Sequence, residues 1–243
     1  MRATGVSMRS VTLLREPVAT AGADLRWQHR RAFLVGLTAT AGWLDALAFL
    51  HLGSVFISFM SGNLLFVGIG VGNGDGGLVA RAGAVLAAFL AGTALGARLS
   101  GGRPGPGAAA ALGRTLGLEA ALLAAFGLLW VVTGSPADHA ATTLVLLVVG
   151  ATAMGLQAAV ALALHLPNVA NVAMTATLAQ LGAVVGGRER EARPIVSRTP
   201  GVSLMVRLCL AYLLGALVVA AVPETPAMAF GPVLLLTAAI SAR

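Results

Sequence analysis

Asp45 is the residue best placed to do chemistry, because it lies inside a long apolar run. It follows Arg31 by fourteen positions, which at about 1.5 Å per helical residue would place it ~20 Å into a membrane. A carboxylate at that depth is costly unless it is paired, hydrated or protonated, and such residues are commonly functional. The position predicts either a site that couples transport to H⁺ or Na⁺, or a structural carboxylate bonded to a neighbouring helix end.

A second polar feature occurs twice in the chain. Residues 50–64 read LHLGSVFISFMSGNL and residues 164–178 read LHLPNVANVAMTATL, so six of fifteen positions, 114 residues apart, are identical. Each copy follows an apolar run and contains a chain-breaking residue, Gly53 in the first and Pro167 in the second. Interrupted polar segments in corresponding halves of a membrane protein are the best sequence indication of a transport site.

The polar residues of the two copies, together with one glutamine, are candidates for binding a substrate or ion. Ser61 and Asn63 could bind a ligand or cap a helix, and Thr175 and Thr177 are their counterparts in the second copy. Gln157 could bind either a substrate or the backbone of a neighbouring helix. These residues define a candidate substrate- or ion-binding site together with Asp45.

Two histidines are also equivalent by repeat. His51 and His165 each end an apolar run, so they are either interfacial side chains or a proton relay, because imidazole titrates near neutral pH. No spacing of histidine, cysteine and acidic residues on one helix matches a metal site. The sequence therefore predicts no metal and no cofactor.

The composition is typical of a membrane protein. Hydrophobic residues make up 58% of the chain and charged residues 10%, whereas a soluble domain carries about 25% charge. The net charge of +7 comes from arginines in short segments between apolar runs, which is typical of topology signals rather than of nucleic-acid contacts. Lysine is absent, and the Gly-x-x-x-x-Gly-Lys loop of a self-powered pump is therefore absent too.

The apolar runs allow two topologies. They cover 32–52, 55–72, 78–99, 112–133, 142–164, 168–186, 202–222 and 226–241. If all eight runs span the membrane, three of the sixteen arginines lie on its outer side. If the two runs that hold the repeated motif instead enter and leave the membrane on the same side, only Arg81 lies on the outer side. The positive-inside rule favours the second arrangement. We therefore predict an all-α polytopic membrane helix bundle with six full spans plus two short or re-entrant motif helices.

This topology also predicts how the two halves are related. The second half would begin from the opposite side of the membrane, which makes the two-fold internal repeat inverted, as in many secondary transporters. The expected division is a disordered cytoplasmic tail at 1–28, a first membrane repeat at 29–134 and a second at 135–243.

Two blocks of the sequence resemble the YoaK-like family of bacterial membrane proteins. The first is Gly-Trp-Leu-Asp-Ala at 42–46, continuing into Ser-Gly-Asn at 61–63; the second is Met-Gly-Leu-Gln at 154–157 with Met-Thr-Ala-Thr-Leu at 174–178. The resemblance implies a multi-pass protein of the bacterial inner membrane, with no established activity. The family tends to have Asn and Gly where this chain has Ala158 and Ala176.

Three classes of function are compatible with these features, and the lipid bilayer is the partner in all of them. The leading class is a secondary transporter or permease for a small molecule or ion, whose site is lined by Asp45, Ser61, Asn63, Gln157, Thr175 and Thr177. The second is a non-transporting partner protein that would use the charged loop 188–198. The third is a lipid-modifying enzyme, for which His51 with Glu119 is the only candidate acid–base pair. The sequence is also compatible with a homo-oligomer.

Overall fold

The chain is helical through most of its described length. The computed structural model describes residues 27–100, 108–133, 139–163, 202–221 and 231–237, with the single positions 178 and 182. Its helices are α1 (Trp27–His51), α2 (Met60–Asn73), α3 (Gly76–Leu99), α4 (Ala108–Thr133), α5 (Ala140–Ala163) and α6 (Val202–Ala221), and residues 231–237 are also helical. These described residues include no β-strand, so the predicted all-α architecture is confirmed.

Five of these helices are long and apolar enough to cross a membrane, namely α1, α3, α4, α5 and α6. Their outward surface is apolar: Leu90, Val132 and Leu213 are each more than half exposed, and lipid rather than water suits such a surface. The sixth predicted span, 226–241, is described only at 231–237. Of the second motif run, 168–186, only positions 178 and 182 are described, and the boundary between the two predicted repeats lies outside the described residues.

The first motif helix is short, as predicted. α2 has 14 residues, which gives a length of ~21 Å against the ~30 Å hydrocarbon core. It ends at Gly74, whose φ of 70° is left-handed, and the carboxylate of Asp75 then accepts a hydrogen bond from the Leu78 N–H at 2.9 Å. These two caps join α2 to α3 by a tight turn.

The ends of three helices meet on one side of the bundle. Arg81, in the second turn of α3, donates from Nε to the carbonyl oxygen of Gly53, just beyond α1, at 3.2 Å. The His51 ring, at the end of α1, lies edge-on to Trp130 in the last turn of α4, with centroids 6.1 Å apart. α1 and α4 therefore end where α3 begins, and the chain between α1 and α3 leaves and returns on that side.

The helices are arranged around α1 and α5. Of the span residues, 61% are buried in α1 and 72% in α5, compared with 22–39% in the other three spans. α6 packs along α1, while α3 and α4 pack along α5, and α2 packs on α3. α1 and α5 are consequently the most enclosed of the five spans.

Glycines allow α1 and α6 to pack backbone against backbone. A Cβ atom at Gly42 would overlap the carbonyl oxygen of Tyr212. A Cβ atom at Gly215 would overlap the carbonyl oxygen of Ala39. Small residues at a crossing permit this approach in membranes, where van der Waals packing drives helix association.

The α3–α5 contact uses the same device. Gly92 packs on the carbonyl of Thr152, and Gly155 packs on the carbonyl of Phe89. One turn further along α3, a Cβ atom at Gly96 would lie 2.6 Å from the Cβ of Ala159. Since α3 and α5 advance together from Gly92 to Gly96, the two helices run in the same direction.

The substitution Gly42→Ala should therefore destabilise the bundle by about 1–3 kcal/mol, because the added methyl group meets backbone that cannot rotate away. The measurement is the melting temperature of purified protein in detergent. Gly117→Ala on α4 is the matched control, since nothing lies within 4 Å of its Cβ position. Equal melting temperatures for the two variants would contradict the close α1–α6 contact.

The side on which α2 begins and ends can be mapped with single cysteines in a Cys209→Ser background. Ser54→Cys and Gly76→Cys should react with an impermeant thiol reagent from the same side of the membrane, because the chain between them returns. Ala109→Cys, at the start of α4, should react from the other side. Labelling of positions 54 and 76 from opposite sides would mean that α2 spans.

Candidate functional site

Asp45 is the centre of the buried polar structure. Its side chain is 2% exposed, and its carboxylate accepts three short hydrogen bonds. Ser58 donates from its backbone N–H at 2.6 Å and from its hydroxyl at 2.7 Å, and the hydroxyl of Tyr212 donates at 2.7 Å. One carboxylate thus ties α1, the loop 52–59 and α6 together.

The loop 52–59 reaches Asp45 because the chain reverses direction at the end of α1. Gly53 and Ser54 have φ of 89° and 60°, a left-handed conformation that is uncommon outside glycine. Asp45 lies six residues before the end of α1, about 9 Å back along the helix. Ser58 therefore lies well inside the bundle, and α2 starts from that depth, which is the geometry of a re-entrant segment.

Asn63 holds the loop in place from α2. Its side chain is completely buried; Nδ2 donates to the Phe56 carbonyl at 2.6 Å, and Oδ1 accepts from the Phe56 N–H at 3.0 Å. An irregular backbone at membrane depth needs partners of this kind, because lipid supplies none. Of the two roles expected for Asn63, the structure displays bonding within the protein.

Aromatic packing surrounds the same point of the loop. The Phe56 ring stacks on Phe49 and on Phe66 with centroids 5.2 and 5.7 Å apart, and it lies edge-on to Phe59 at 5.3 Å. Aromatic pairs at these distances contribute beyond their buried area. The loop is therefore positioned by packing as well as by hydrogen bonds.

Ile57 extends the loop across to α5. Its side chain is completely buried, and a Cβ atom added at Gly150 would lie 2.9 Å from its Cδ1 atom. Glycine at that position makes room for the isoleucine. The loop consequently bonds to α1 at Asp45 while it packs on α5 at Gly150, and it closes one end of the contact between the two central helices.

Gln157 forms a separate polar contact between these central helices. Its side chain is 4% exposed, and Nε2 donates to the Leu37 carbonyl of α1 at 3.1 Å. Leu37 precedes Asp45 by eight residues, or about 12 Å along the helix. Gln157 on α5 and Asp45 on α1 are therefore not first neighbours, although Asp45 and the Leu37 that Gln157 contacts are both buried residues of α1.

The remaining predicted residues have different positions. Ser61 is exposed on α2, away from the carboxylate. His51 contacts Trp130, which follows Glu119 by eleven residues of α4, or about 16 Å, so the acid–base pair considered for an enzyme is not assembled. Glu119 itself is completely buried. Thr175, Thr177 and His165 lie outside the described residues.

Two residues of the site, Ser58 and Tyr212, were not predicted from the sequence. Ser58 lies in the first motif, but hydroxyl residues are common there and its position gave no further signal. Tyr212 is the only tyrosine of the chain and interrupts the apolar run 202–222. A lone phenol inside a membrane run requires a buried acceptor, and Asp45 was the strongest acceptor available.

These features define a multi-pass helical membrane protein with a buried polar cluster where the loop 52–59 turns back into the bundle. The chain belongs to the family described as "Protein of unknown function (DUF1275)", whose model matches residues 33–242. It is 27% identical over 195 residues to the UPF0700 transmembrane protein YoaK of Bacillus subtilis (strain 168), covering 79% of this chain and 83% of that protein. The predicted family is thereby confirmed. No solved structure matches the chain significantly.

Replacing Asn63 by leucine should release the loop. The buried N–H and carbonyl of Phe56 would both lose their partners, at about 1–3 kcal/mol each, so the amides of 52–59 should exchange faster with deuterium and the melting temperature should fall. Ser61→Ala is the control, because Ser61 is exposed on the same helix. Unchanged exchange in Asn63→Leu would mean that other contacts hold the loop.

Proposed function

We propose that this chain is a small secondary transporter or permease of the bacterial inner membrane, with a cytoplasmic N-terminus and with Asp45 coupling transport to H⁺ or Na⁺. The observation that carries the proposal is the bonding of Asp45 to both the re-entrant loop and α6. Protonation of the carboxylate, or its occupation by Na⁺, would weaken both bonds. A single binding event would then alter the contact of three segments, which is how a ligand biases a conformational equilibrium.

The glycine contacts support an inverted repeat behind this site. Gly42 meets Tyr212 as Gly155 meets Phe89, and Ala39 meets Gly215 as Thr152 meets Gly92. The residues of α5 follow their counterparts in α1 by 113 positions (42 to 155, 39 to 152), close to the 114 that separate the motifs. The residues of α6 follow their counterparts in α3 by 123 positions (89 to 212, 92 to 215). α1 with α6 is therefore the counterpart of α5 with α3.

The two crossings differ in polarity, although their backbones correspond. At the same spacings, the counterpart of Asp45 is Ala158 and that of Tyr212 is Phe89. The α1–α6 crossing therefore carries a bonded acid and phenol, and the α3–α5 crossing carries a methyl and a phenyl group. Coupling through one crossing only would let H⁺ or Na⁺ act at a single gate.

The loop 52–59 is the gate in this proposal. Ile57 closes the space between α1 and α5, and Ser58, next to it, holds the loop on Asp45. Release of Ser58 would allow Ile57 to withdraw from Gly150 and open the path between the central helices. Thr175 and Thr177 would line the site from the second motif, opposite Asn63 and Gln157.

The substitution Asp45→Asn tests the coupling. In proteoliposomes loaded with a pH-sensitive dye, wild-type protein should carry H⁺ down an imposed gradient, or ²²Na⁺ if sodium is the coupling ion. Asp45→Asn should lower that flux to the level of empty liposomes, because its side chain keeps the size but cannot take up the ion.

Asp75→Asn is the matched control and should keep the wild-type flux, because that carboxylate is exposed and caps α3. Folding of each variant is verified by its elution as a single detergent-solubilised species. Full flux in a folded Asp45→Asn variant would remove Asp45 from the mechanism. Absence of any flux in wild-type protein would overturn the transporter assignment.

A further inference from the structure

Gln157 has a hydrogen-bonding group that the described residues leave unused. Nε2 donates to the Leu37 carbonyl, but Oε1, with less than 1 Å² exposed, accepts no hydrogen bond from the described residues. A buried carbonyl without a donor costs about 1–3 kcal/mol. Groups of this kind in native proteins typically bind an ion or water, or serve a function.

Gln157 lies at the kind of interface where a transporter of the proposed architecture would bind its ligand. It joins α1 to α5, the two most buried spans, which are counterparts under the proposed two-fold repeat. Substrate and ion sites of inverted-repeat transporters lie at the interface between the repeats. Ile57 packs on Gly150 of α5 at the level of the loop 52–59, whereas the Leu37 carbonyl that Gln157 contacts lies about 12 Å from Asp45 along α1.

Two hydroxyls of α1 that are close to Leu37 in the sequence are also hydrogen-bond acceptors. The hydroxyls of Thr38 and Thr40 donate to the carbonyls of Leu34 and Gly36 at 2.9 and 3.0 Å, so their protons are used and their oxygens keep lone pairs. The other buried polar side chains among the described residues bear hydroxyl, amide or carboxylate groups. An interior of this composition attracts cations and donors more than anions.

We propose that Gln157 Oε1 binds a small monovalent cation, of the ammonium or alkali type, between α1 and α5. Amide, hydroxyl and carbonyl oxygens are suitable ligands for such an ion. No group of three histidine, cysteine or acidic residues within the described ranges could hold a divalent metal. This assignment rests on the proposed function and names the class of its substrate.

Thermal stability of the full-length protein in detergent tests the assignment. The melting temperature is followed in NaCl, KCl, NH₄Cl and methylammonium chloride against choline chloride at equal concentration, so that chloride and ionic strength are constant. At least one of the small cations should raise it relative to choline, because a ligand that binds only the folded state stabilises it.

Gln157→Leu should weaken that effect by about tenfold or more in cation concentration, as expected for the loss of a hydrogen bond to a charged group. Gln157→Glu, which keeps an oxygen in place and adds charge, should retain or strengthen the effect. It also serves as a second variant if Gln157→Leu does not fold. Thr133→Val, at the end of α4, is the control for a loss of one hydroxyl and should respond as wild type does.

The outcomes separate this inference from the proposed function. Small-cation stabilisation that depends on Gln157 supports the site even if no flux is found, in which case only the transporter assignment fails. Asp45-dependent flux without any cation effect on stability overturns the Gln157 site and leaves the transporter standing. Gln157→Leu protein that melts higher than wild type, with no cation effect in either, means that the amide holds a buried water only and also overturns it.

Discussion

A carboxylate buried in an apolar bundle needs hydrogen-bond donors, and the surroundings of Asp45 are built around that requirement. The interior of α1 cannot supply them, because its N–H groups are already bonded within the helix. The donors come from Ser58 and Tyr212. To bring Ser58 there, the chain must return into the bundle after α1, and to bring Tyr212 there, α6 must pack closely on α1.

Each of these two requirements has its own structural support. The returning loop exposes backbone groups at membrane depth, and Asn63 satisfies two of them at Phe56 while aromatic rings enclose the same residue. The close approach of α6 depends on Gly42, which lies one turn before Asp45 and leaves no room for a side chain. Asp45, Asn63 and Gly42 therefore support one arrangement. The carboxylate binds the loop and α6, the amide holds the loop, and the glycine lets α6 approach α1.

The contact between α3 and α5 shows that close helix packing in this fold does not require the acid. Gly155 and Gly92 keep the backbone contact between α5 and α3, and under the proposed two-fold repeat Ala158 and Phe89 would correspond to the acid and the phenol. This contact forms without a polar pair, since small residues alone suffice for close helix packing in a membrane. The acid and the phenol belong to the α1–α6 crossing, and this asymmetry between the two crossings is the reason that the proposed function assigns coupling to Asp45.

The membrane class, the five spans found among the described residues, the short first motif helix and the position of a carboxylate inside an apolar run were determined by the sequence, because apolar length and an isolated charge are local properties. The partners of Asp45 were not, since Tyr212 lies 167 positions away and one-dimensional patterns do not give helix neighbours. Asn63 could be a ligand or a cap by sequence; only the fold brought Phe56 against it. Ser61 had the same polar character and yet became exposed, because the rotation of α2 about its axis is decided by its packing on α3, which is a tertiary interaction.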